Sequence, residues 1–337
     1  MHDIGAGGPL DFSEIALVER IAGAVGRRPG VALGIGDDAA VLAGEPPLVL
    51  TQDLLVDGVH FTRGAMTLRE LGHKALAVNL SDIAAMGAAP VAALVGLVLP
   101  RRDRLGGADI DELYAGMEHL ADRFGTSVAG GDTVTGPALV LSVTAIGRMA
   151  PGVEPVLRSG ARPGDLVCVT GELGAAAAGL LVQGDPLLAS GLDDAAARSL
   201  RAAQVTPEPR IAAGLALAAG GAHAMLDCSD GLALDTLRLA RASGVCVELH
   251  LDRLPIADGV ERVAAAAGRE ADVLAATGGE DYELVVTVDP ADHERLSFAL
   301  DVPLTVVGNV RAGSPGVRLL REGREVTVPR LGYEHGA

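Results

Sequence analysis

Aromatic and basic residues are scarce in this chain of 337 residues. Phe, Tyr and Trp together make up 2% of the sequence, and Trp is absent. Proteins that bind single-stranded nucleic acid stack bases on aromatic rings, so that role is disfavoured. Lys and Arg number 27 against 44 Asp and Glu, which gives a formal charge of −17. Nucleic acids and anionic membranes bind basic faces, and we therefore predict that neither is the main partner.

Long apolar runs and paired cysteines are lacking as well. The longest strongly apolar segment, 91–99, is far shorter than the roughly 20 residues that span a bilayer. The sequence does not open with a basic segment followed by an apolar one, so no secretory signal is predicted. The three cysteines, Cys168, Cys228 and Cys246, are scattered and show no metal-binding spacing. These features predict a protein of the reducing cytoplasm with no membrane partner.

The segment Lys74–Gly87 has the pattern of the second half of one long apolar helix. Thr67 and Glu70 have the spacing of a capping box, which predicts where this helix begins. Asp82 falls on the same helical stripe as the apolar residues, where an ionised carboxylate is costly unless it is paired. Lys74 is two turns away and is a poor partner for a direct ion pair. Two interpretations stay open: hydrogen bonds to a neighbouring loop, or a bound metal.

A chain of 337 residues is long enough for two domains, each with its own core. We expect an α+β domain in 1–150, opening with a helix from Phe12, and an α/β domain in 151–337. A turn-rich segment, Arg158–Asp165, lies near the boundary. The predicted strands are 48–53, 91–99, 128–133, 139–146, 166–170, 245–251, 283–288 and 304–310. The other predicted helices are 110–124, 174–183, 208–219, 230–243 and 290–299.

Eight acidic residues lie beside Gly, Ser or Thr, on predicted turns or in apolar surroundings. They are Asp37, Asp38, Asp53, Asp82, Asp132, Asp227, Asp230 and Glu280. An Asx turn or a helix cap explains one or two such residues without any ligand. Eight together favour a shared site of hard oxygen ligands, which suits Mg²⁺ or Ca²⁺. Zinc is disfavoured, because His and Cys do not occur in pairs at ligand spacing.

The usual phosphate-transfer motifs are absent from the sequence. The Gly-rich segment Gly171–Gly179 contains no lysine, and neither a protein-kinase motif nor a nucleophile elbow is present. If the chain transfers phosphoryl groups, metal ions must replace the basic cradle, with direct in-line attack. A phosphate acceptor suits this chemistry, because its second pKa of about 6 leaves it ionised without a general base.

Four segments in order along the chain together resemble the thiamine-monophosphate kinase family. They are Gly34–Val41, Lys74–Gly87, Gly130–Thr133 and Gly278–Leu284. That family belongs to the aminoimidazole-ribonucleotide-synthetase-like superfamily. The resemblance implies ATP-dependent phosphorylation of thiamine monophosphate to thiamine diphosphate with several Mg²⁺ ions. It also implies a homodimer whose N-terminal sheets pair, with the C-terminal domain completing each site.

Carried over by position, the resemblance implies a role for each of several residues. The implied metal ligands are Asp38, Thr51, Gln52, Asp53, Asp82, Asp132, Asp227 and Asp230. The implied nucleotide contacts are Gly131, Asp132, Arg158, Ser229 and, more loosely, Tyr114. The implied contacts to the thiamine part are His60, Glu280 and Tyr333. Among these, the candidate catalytic residues are Asp53, Asp82, Asp132 and Asp227.

The sequence departs from the family pattern next to one aspartate. The family usually has Thr on both sides of this residue, whereas here Gln52 and Leu54 flank Asp53. A Gln carbonyl can bind a metal but a Leu side chain cannot, which places ligation there in question. Tyr114 and Tyr333 also have an ordinary interpretation as aromatic residues packed on a core. Two alternatives therefore stay open: a related enzyme with a different acceptor, or a catalytically silent metal-binding dimer.

Overall fold

The computed structural model describes residues 30–102 and 105–334. The predicted helix from Phe12 lies outside these residues. Within them, two β-sheets each carry helices, which confirms the predicted α+β organisation in two parts. None of the helices in this part of the chain has the length and apolar character that crossing a membrane requires.

Six strands form the first sheet. They are β1 Val31–Leu33, β2 Ala40–Leu42, β3 Leu48–Val56, β4 Ala89–Pro100, β5 Val128–Gly136 and β6 Val140–Arg148. Their order across the sheet is β1-β2-β3-β6-β4-β5. All neighbours are antiparallel except β4 and β5, which are parallel. Along β3, Val49, Thr51 and Leu55 are buried while Gln52 and Leu54 are exposed, so the strand has one inner and one outer face.

Two helices, α1 Leu68–Ala85 and α2 Gly107–Phe124, pack together, and α1 lies on the inner face of β3 and β6. The predicted capping box of α1 is confirmed: Thr67 Oγ1 accepts from Glu70 N, and Glu70 Oε2 accepts from Thr67 N. The helices approach so closely that a Cβ on Gly72 would lie 1.8 Å from the carbonyl oxygen of Leu113. Every residue from 71 to 81 is buried, so α1 is a central helix rather than a surface one.

Seven strands form the second sheet. They are β7 Leu166–Thr170, β8 Ala224–Asp227, β9 Cys246–His250, β10 Leu284–Val288, β11 Leu304–Arg311, β12 Gly316–Arg321 and β13 Arg324–Glu325. The order is β13-β12-β9-β11-β7-β10-β8, and only β9 and β12 pair in parallel. The helices of this half are α3 Ala175–Gly184, α4 Asp194–Val205, α5 Ile211–Ala219, α6 Leu232–Ser243, α7 Val260–Ala266, α8 Ala271–Thr277 and α9 His293–Ala299.

The second half joins the first through α1. Its C-terminal end packs against α5, where a Cβ on Gly214 would lie 2.1 Å from the carbonyl oxygen of Ala84. The hydrophobic core of the first sheet continues into the second half through Met225 and Leu284. Helix α1 therefore extends from the first sheet to β8.

Most predicted strands and helices are present, with ends that differ by at most three residues. The sequence analysis missed α4, α7, α8, β8, β12 and β13. Gly130 and Gly131 do not form a turn. Strand β5 runs through both, and a Cβ on Gly131 would lie 1.9 Å from the carbonyl oxygen of Val95. Gly131 therefore permits the close approach of β5 to β4.

Candidate active site

The polar residues of α1 fix the inner face of β3. Thr51 Oγ1 donates to Asp82 Oδ2 at 2.5 Å, and Asp53 N donates to Asn79 Oδ1 at 3.0 Å. Asn79 in turn donates through Nδ2 to the carbonyl oxygen of Ala75, one turn earlier in the helix. Asp82 is therefore hydrogen-bonded to strand β3 rather than to a neighbouring loop, and this bond uses only one of its two carboxylate oxygens.

A third element brings Asp227 to the same place. This residue ends β8, and its Oδ2 accepts a 2.6 Å hydrogen bond from Ser81 Oγ on α1. Asp38 arrives from the loop between β1 and β2. One carboxylate oxygen from each of Asp38, Asp82 and Asp227 lies within 4.8 Å of the other two. We call these three residues the acidic cluster.

Burial raises the pKa of every carboxyl in the acidic cluster, and repulsion by neighbouring carboxylates adds to it at Asp82 and Asp227. Burial is the main cause for Asp82, and the charges of Asp53, Asp227 and Asp38 add to it, so its pKa lies well above the usual range. The pKa of Asp227 is also raised well above its usual range, by burial and then by Asp38. Burial, with the charges of Asp230 and Asp38, raises the pKa of Asp53 to about 6. A group of carboxylates that repel one another in this way is stabilised by a cation.

The donor set fits a hard divalent ion. All the side-chain atoms offered by the acidic cluster and by Thr51 and Asp53 are oxygens, the ligands that Mg²⁺ prefers. Asp38 Oδ2 is buried and has no hydrogen-bond partner among the residues the structure describes. A buried carboxylate oxygen without a partner is costly, and a metal ion would satisfy it. The residues present therefore fit the predicted magnesium ligands at Asp38, Asp82 and Asp227.

Arg158 lies against this cluster. Its guanidinium forms an ion pair with Asp38, with Nε 3.0 Å from Asp38 Oδ1, and its backbone N–H donates to Asp37. Burial, followed by the charge of Asp38, raises the pKa of Asp37 to about 6. Arg158 thus places a cation beside the predicted metal ligands, where an anionic substrate would come.

A tight turn after β8 presents Ser229 and Asp230. Asp235 Oδ2 accepts from the backbone N–H groups of Asp230 and Gly231, both at 3.0 Å. Arg238 contacts the carboxylates of Asp230 at 2.5 Å and Asp235 at 2.7 Å. Burial raises the pKa of Asp235 to about 7.

Tyr333 reaches the same turn from the end of the described chain. Its backbone N–H donates to the carbonyl oxygen of Asp230 at 2.9 Å, and half of the residue is exposed. The structure therefore brings the half-exposed Tyr333 beside Asp230.

The segment Gly278–Leu284 lies on the other side of this turn. Glu280 N donates to the carbonyl oxygen of Ser229 at 2.7 Å, and its carboxylate forms an ion pair with Lys74 at 2.7 Å. The backbone is left-handed at Glu280, with φ 68°, and at Tyr282, with φ 52°. Both residues are held there by hydrogen bonds, since Tyr282 N donates to the carbonyl oxygen of Cys228.

The next acidic residues of that segment have structural roles. Asp281 accepts from Gly174 N and Ala176 N at the start of α3, and burial raises its pKa to about 7. Glu283 accepts a 2.6 Å hydrogen bond from Thr170 Oγ1 and pairs with Arg210. These contacts account for both Asp281 and Glu283, and neither residue belongs to the acidic cluster.

The side chain of Gln52, one of the predicted metal contacts, does not face the acidic cluster. Its Nε2 donates to Ser142 Oγ at 3.0 Å and its Oε1 accepts from Thr144 Oγ1 at 3.2 Å, on the outer face of the sheet. Neighbouring side chains in a strand point to opposite faces, so Thr51 and Asp53 face α1 while Gln52 does not. Leu54, 49% exposed, also lies on the outer face, and its replacement of Thr therefore leaves the acidic cluster unchanged.

Other predicted residues lie apart from the acidic cluster. Gly131 and Asp132 are exposed on the edge strand β5, where Asp132 Oδ1 accepts from Thr133 N. Tyr114 is partly buried and packs against the core of the first sheet, which agrees with its ordinary interpretation. His60 is half-buried after β3, and its Nδ1 accepts from Val56 N at 3.1 Å. Their proposed roles are not shown by these contacts.

Several residues that build the site were missed by the sequence analysis. Asn79 and Ser81 lie inside the segment that drew attention, yet no contact was predicted for either. Asp235 and Arg238 are three residues apart at the start of α6, a spacing at which oppositely charged side chains meet on a helix. That spacing could have predicted the ion pair between Asp235 and Arg238. Arg238 also pairs with Asp230.

Comparisons with known proteins agree with the two-part fold. The model for "AIR synthase related protein, N-terminal domain" matches residues 36–149, and that for the C-terminal domain of the same family matches residues 162–319. A thiamine-monophosphate kinase of Mycobacterium tuberculosis is 38% identical over 91% of each chain.

Two solved structures are similar over almost the whole chain. One, described as "AaThiL complexed with AMPPCP and TMP", superposes with a TM-score of 0.84 at 29% identity, covering 98% of this chain and 99% of that one. The other is a thiamine-monophosphate kinase from Stenotrophomonas maltophilia K279a, with a TM-score of 0.74 at 37% identity. It covers 93% of this chain and 98% of that one.

Proposed function

Because this chain belongs to the thiamine-monophosphate kinase family, we propose that it phosphorylates thiamine monophosphate to thiamine diphosphate with ATP. The observation that supports this most strongly is the acidic cluster, which the β1–β2 loop, α1 and β8 bring together. Its carboxylates repel one another and include a buried oxygen without a partner in the described structure. A reaction between two phosphate-bearing anions needs such a cation site, because a basic cradle is absent from the sequence.

We propose that Asp38, Asp82 and Asp227 hold Mg²⁺, with Asp53 and Asp230 close by. Bound Mg²⁺ supplies positive charge that offsets the phosphate charges of both substrates. The chain's own contribution is to fix these carboxylates from three elements of the fold. Thr51 orients Asp82, and Ser81 orients Asp227. A rigid arrangement of this kind favours direct transfer between aligned groups.

The remaining assignments rest on matching positions in the family pattern rather than on contacts in this structure. We propose that Arg158 and Ser229, with Gly131 and Asp132, contact the nucleotide. Arg158 is the best supported of these, since its guanidinium already lies beside Asp38. Arginine binds phosphate through two parallel hydrogen bonds, which suits a triphosphate next to a metal.

For the acceptor, we propose that His60, Glu280 and Tyr333 contact the thiamine part. Glu280 and Tyr333 approach the Ser229–Gly231 turn from two sides, which supports placing the organic half of the acceptor there. The phosphate half would then face the acidic cluster. The phosphate needs no general base, because it is largely ionised at neutral pH.

We also propose a homodimer that pairs through the outer face of the first sheet. Leu50, Leu54, Leu94 and Ile146 point to this face, and the exposed fractions of Leu54 and Leu94 are 49% and 43%. A sheet face with several exposed leucines is typical of a protein interface.

The scattered, buried thiols of Cys168 and Cys228 support a reducing compartment, and we propose the cytoplasm.

The experiment follows ADP and thiamine diphosphate in one reaction with ATP, Mg²⁺ and the purified chain, with and without thiamine monophosphate. We expect both products to appear in equal amounts, only with the acceptor present, and to vanish when a chelator is added. Asp82→Asn serves as a folded, inactive control.

Other outcomes discriminate between the alternatives. ATP hydrolysis without thiamine diphosphate would indicate a related enzyme with another acceptor. Absence of any turnover, with metal binding retained, would favour the catalytically silent dimer.

A further inference from the structure

Lys74 is a lysine whose ammonium group is entirely inside the protein. Its side chain is 0% exposed, and Nζ donates to the carbonyl oxygen of Gln204 at 2.9 Å. Its other described contact is the 2.7 Å ion pair with Glu280 Oε1. Burying an ammonium group is costly unless it is paired and hydrogen-bonded. The position is therefore explained only together with Glu280.

Glu280 is constrained from both its backbone and its side chain. Its φ of 68° is unusual for a residue with a Cβ, and the N–H group is fixed by Ser229. The ion pair with Lys74 commits one carboxylate oxygen, while 29% of the side chain remains exposed. A carboxylate held in this way is already oriented before a ligand arrives.

Lys74 also links this carboxylate to the acidic cluster. It belongs to α1, the helix that carries Asp82, but its ammonium contacts Glu280 rather than Asp82. Helix α1 thus holds the Glu280 carboxylate through Lys74 and also carries Asp82 of the acidic cluster.

We propose that Lys74 is a positioning residue: its buried ammonium holds the Glu280 carboxylate in the orientation that receives the organic half of the acceptor. This rests on the proposed function, in which Glu280 contacts the thiamine part. A carboxylate that is fixed in advance loses little side-chain freedom when it binds a donor, so affinity is higher. Lys74 does not contact the acidic cluster, so the transfer step itself is unaffected.

The test compares Lys74→Met and Lys74→Gln with the wild-type protein. We expect the KM for thiamine monophosphate to rise about tenfold, the typical effect of one charged hydrogen bond. The KM for ATP and kcat should stay within about twofold of wild type. Calorimetry of thiamine monophosphate binding without nucleotide should show the same loss. Arg69→Met is the matched control, because it removes an exposed cation of α1 that pairs with Glu112.

A double-variant comparison separates positioning from a structural role. Glu280→Gln should raise the same KM, and adding Lys74→Met to it should cause no further rise. Additive effects, or equal changes in both KM values and kcat, would overturn the proposal. If neither single Lys74 variant folds, the double variant is compared with Glu280→Gln alone, since it replaces the buried ion pair with neutral groups. Wild-type protein that turns over no thiamine monophosphate would overturn the proposed function as well.

Discussion

The side chains of Gln52 and Asp53 point to opposite faces of the same strand. Asp53 faces α1, where its backbone N–H donates to Asn79, whereas Gln52 bonds with Ser142 and Thr144 on the outer face. The departure from the family pattern on either side of Asp53 therefore changes the outer face of the sheet. The inner face, with Thr51 beside Asp82, keeps its ligand set.

We expect Gln52→Thr and Leu54→Thr, separately or together, to leave the Mg²⁺ dependence of turnover within about twofold of wild type. Neither side chain reaches the acidic cluster, so restoring the family's residues adds no metal ligand there. The measurement is kcat against Mg²⁺ concentration at saturating substrates. Thr51→Val is the matched control on the inner face, and it should raise the Mg²⁺ requirement because Asp82 loses its hydrogen bond. A strong Mg²⁺ effect of Leu54→Thr would contradict the assignment of faces.

Leu54→Lys should weaken the proposed dimer. A lysine on the outer face would be buried against its symmetry mate, and unpaired charges in an interface core are costly. Sedimentation across a range of concentrations should show monomer for the variant where wild type is a dimer. The control is Leu187→Lys, because Leu187 is 77% exposed and lies outside the first sheet. A wild-type monomer, or a dimer of unchanged strength in Leu54→Lys, would remove the outer face from the interface.

Local patterns were readable from the sequence, and contacts between distant segments were not. The capping box at Thr67 depends on neighbours three residues apart, so its prediction was correct. The alternation of side chains along a strand also predicts that Gln52 and Asp53 lie on opposite faces of the sheet, whereas the family pattern implies that both contact metal. In contrast, Ser81 and Asp227 are 146 residues apart, and only the packing of β8 on α1 brings them together. The same holds for Lys74 and Glu280, whose pairing has no local signal.

Asp82→Asn and Asp227→Asn should each lower kcat by more than about 100-fold while the protein stays folded. Each change removes a proposed metal ligand and keeps the volume of the side chain. Because repulsion within the acidic cluster falls, the metal-free variants should melt at the same temperature as wild type or higher. Circular dichroism melts with a chelator, together with product formation, provide the measurement. Normal turnover in either variant would exclude that residue from the site.

The metal-free protein should lose stability as the pH rises from 5 to 8. The native pKa is raised to about 6 for Asp53 and Asp37 and to about 7 for Asp235, from an ordinary value of 3.8. Between these values the native protein binds more protons than the unfolded chain, so the free energy of unfolding falls as pH increases. Each unit of such a raised pKa corresponds to about 1.4 kcal/mol. Melting temperatures in the presence of a chelator measure this directly.

Adding Mg²⁺ should reverse the trend, with a larger rise in melting temperature at pH 8 than at pH 5. Protons compete with the metal for the same carboxylates, so binding strengthens as they ionise. Asp53→Asn should reduce the pH dependence of the chelated protein, since it removes one of the carboxyls with a raised pKa. Asp258→Asn, at an exposed position, is the matched control and should leave the slope unchanged. A melting temperature that rises from pH 5 to pH 8 without metal would show that burial does not raise the pKa of these carboxyl groups in the native protein.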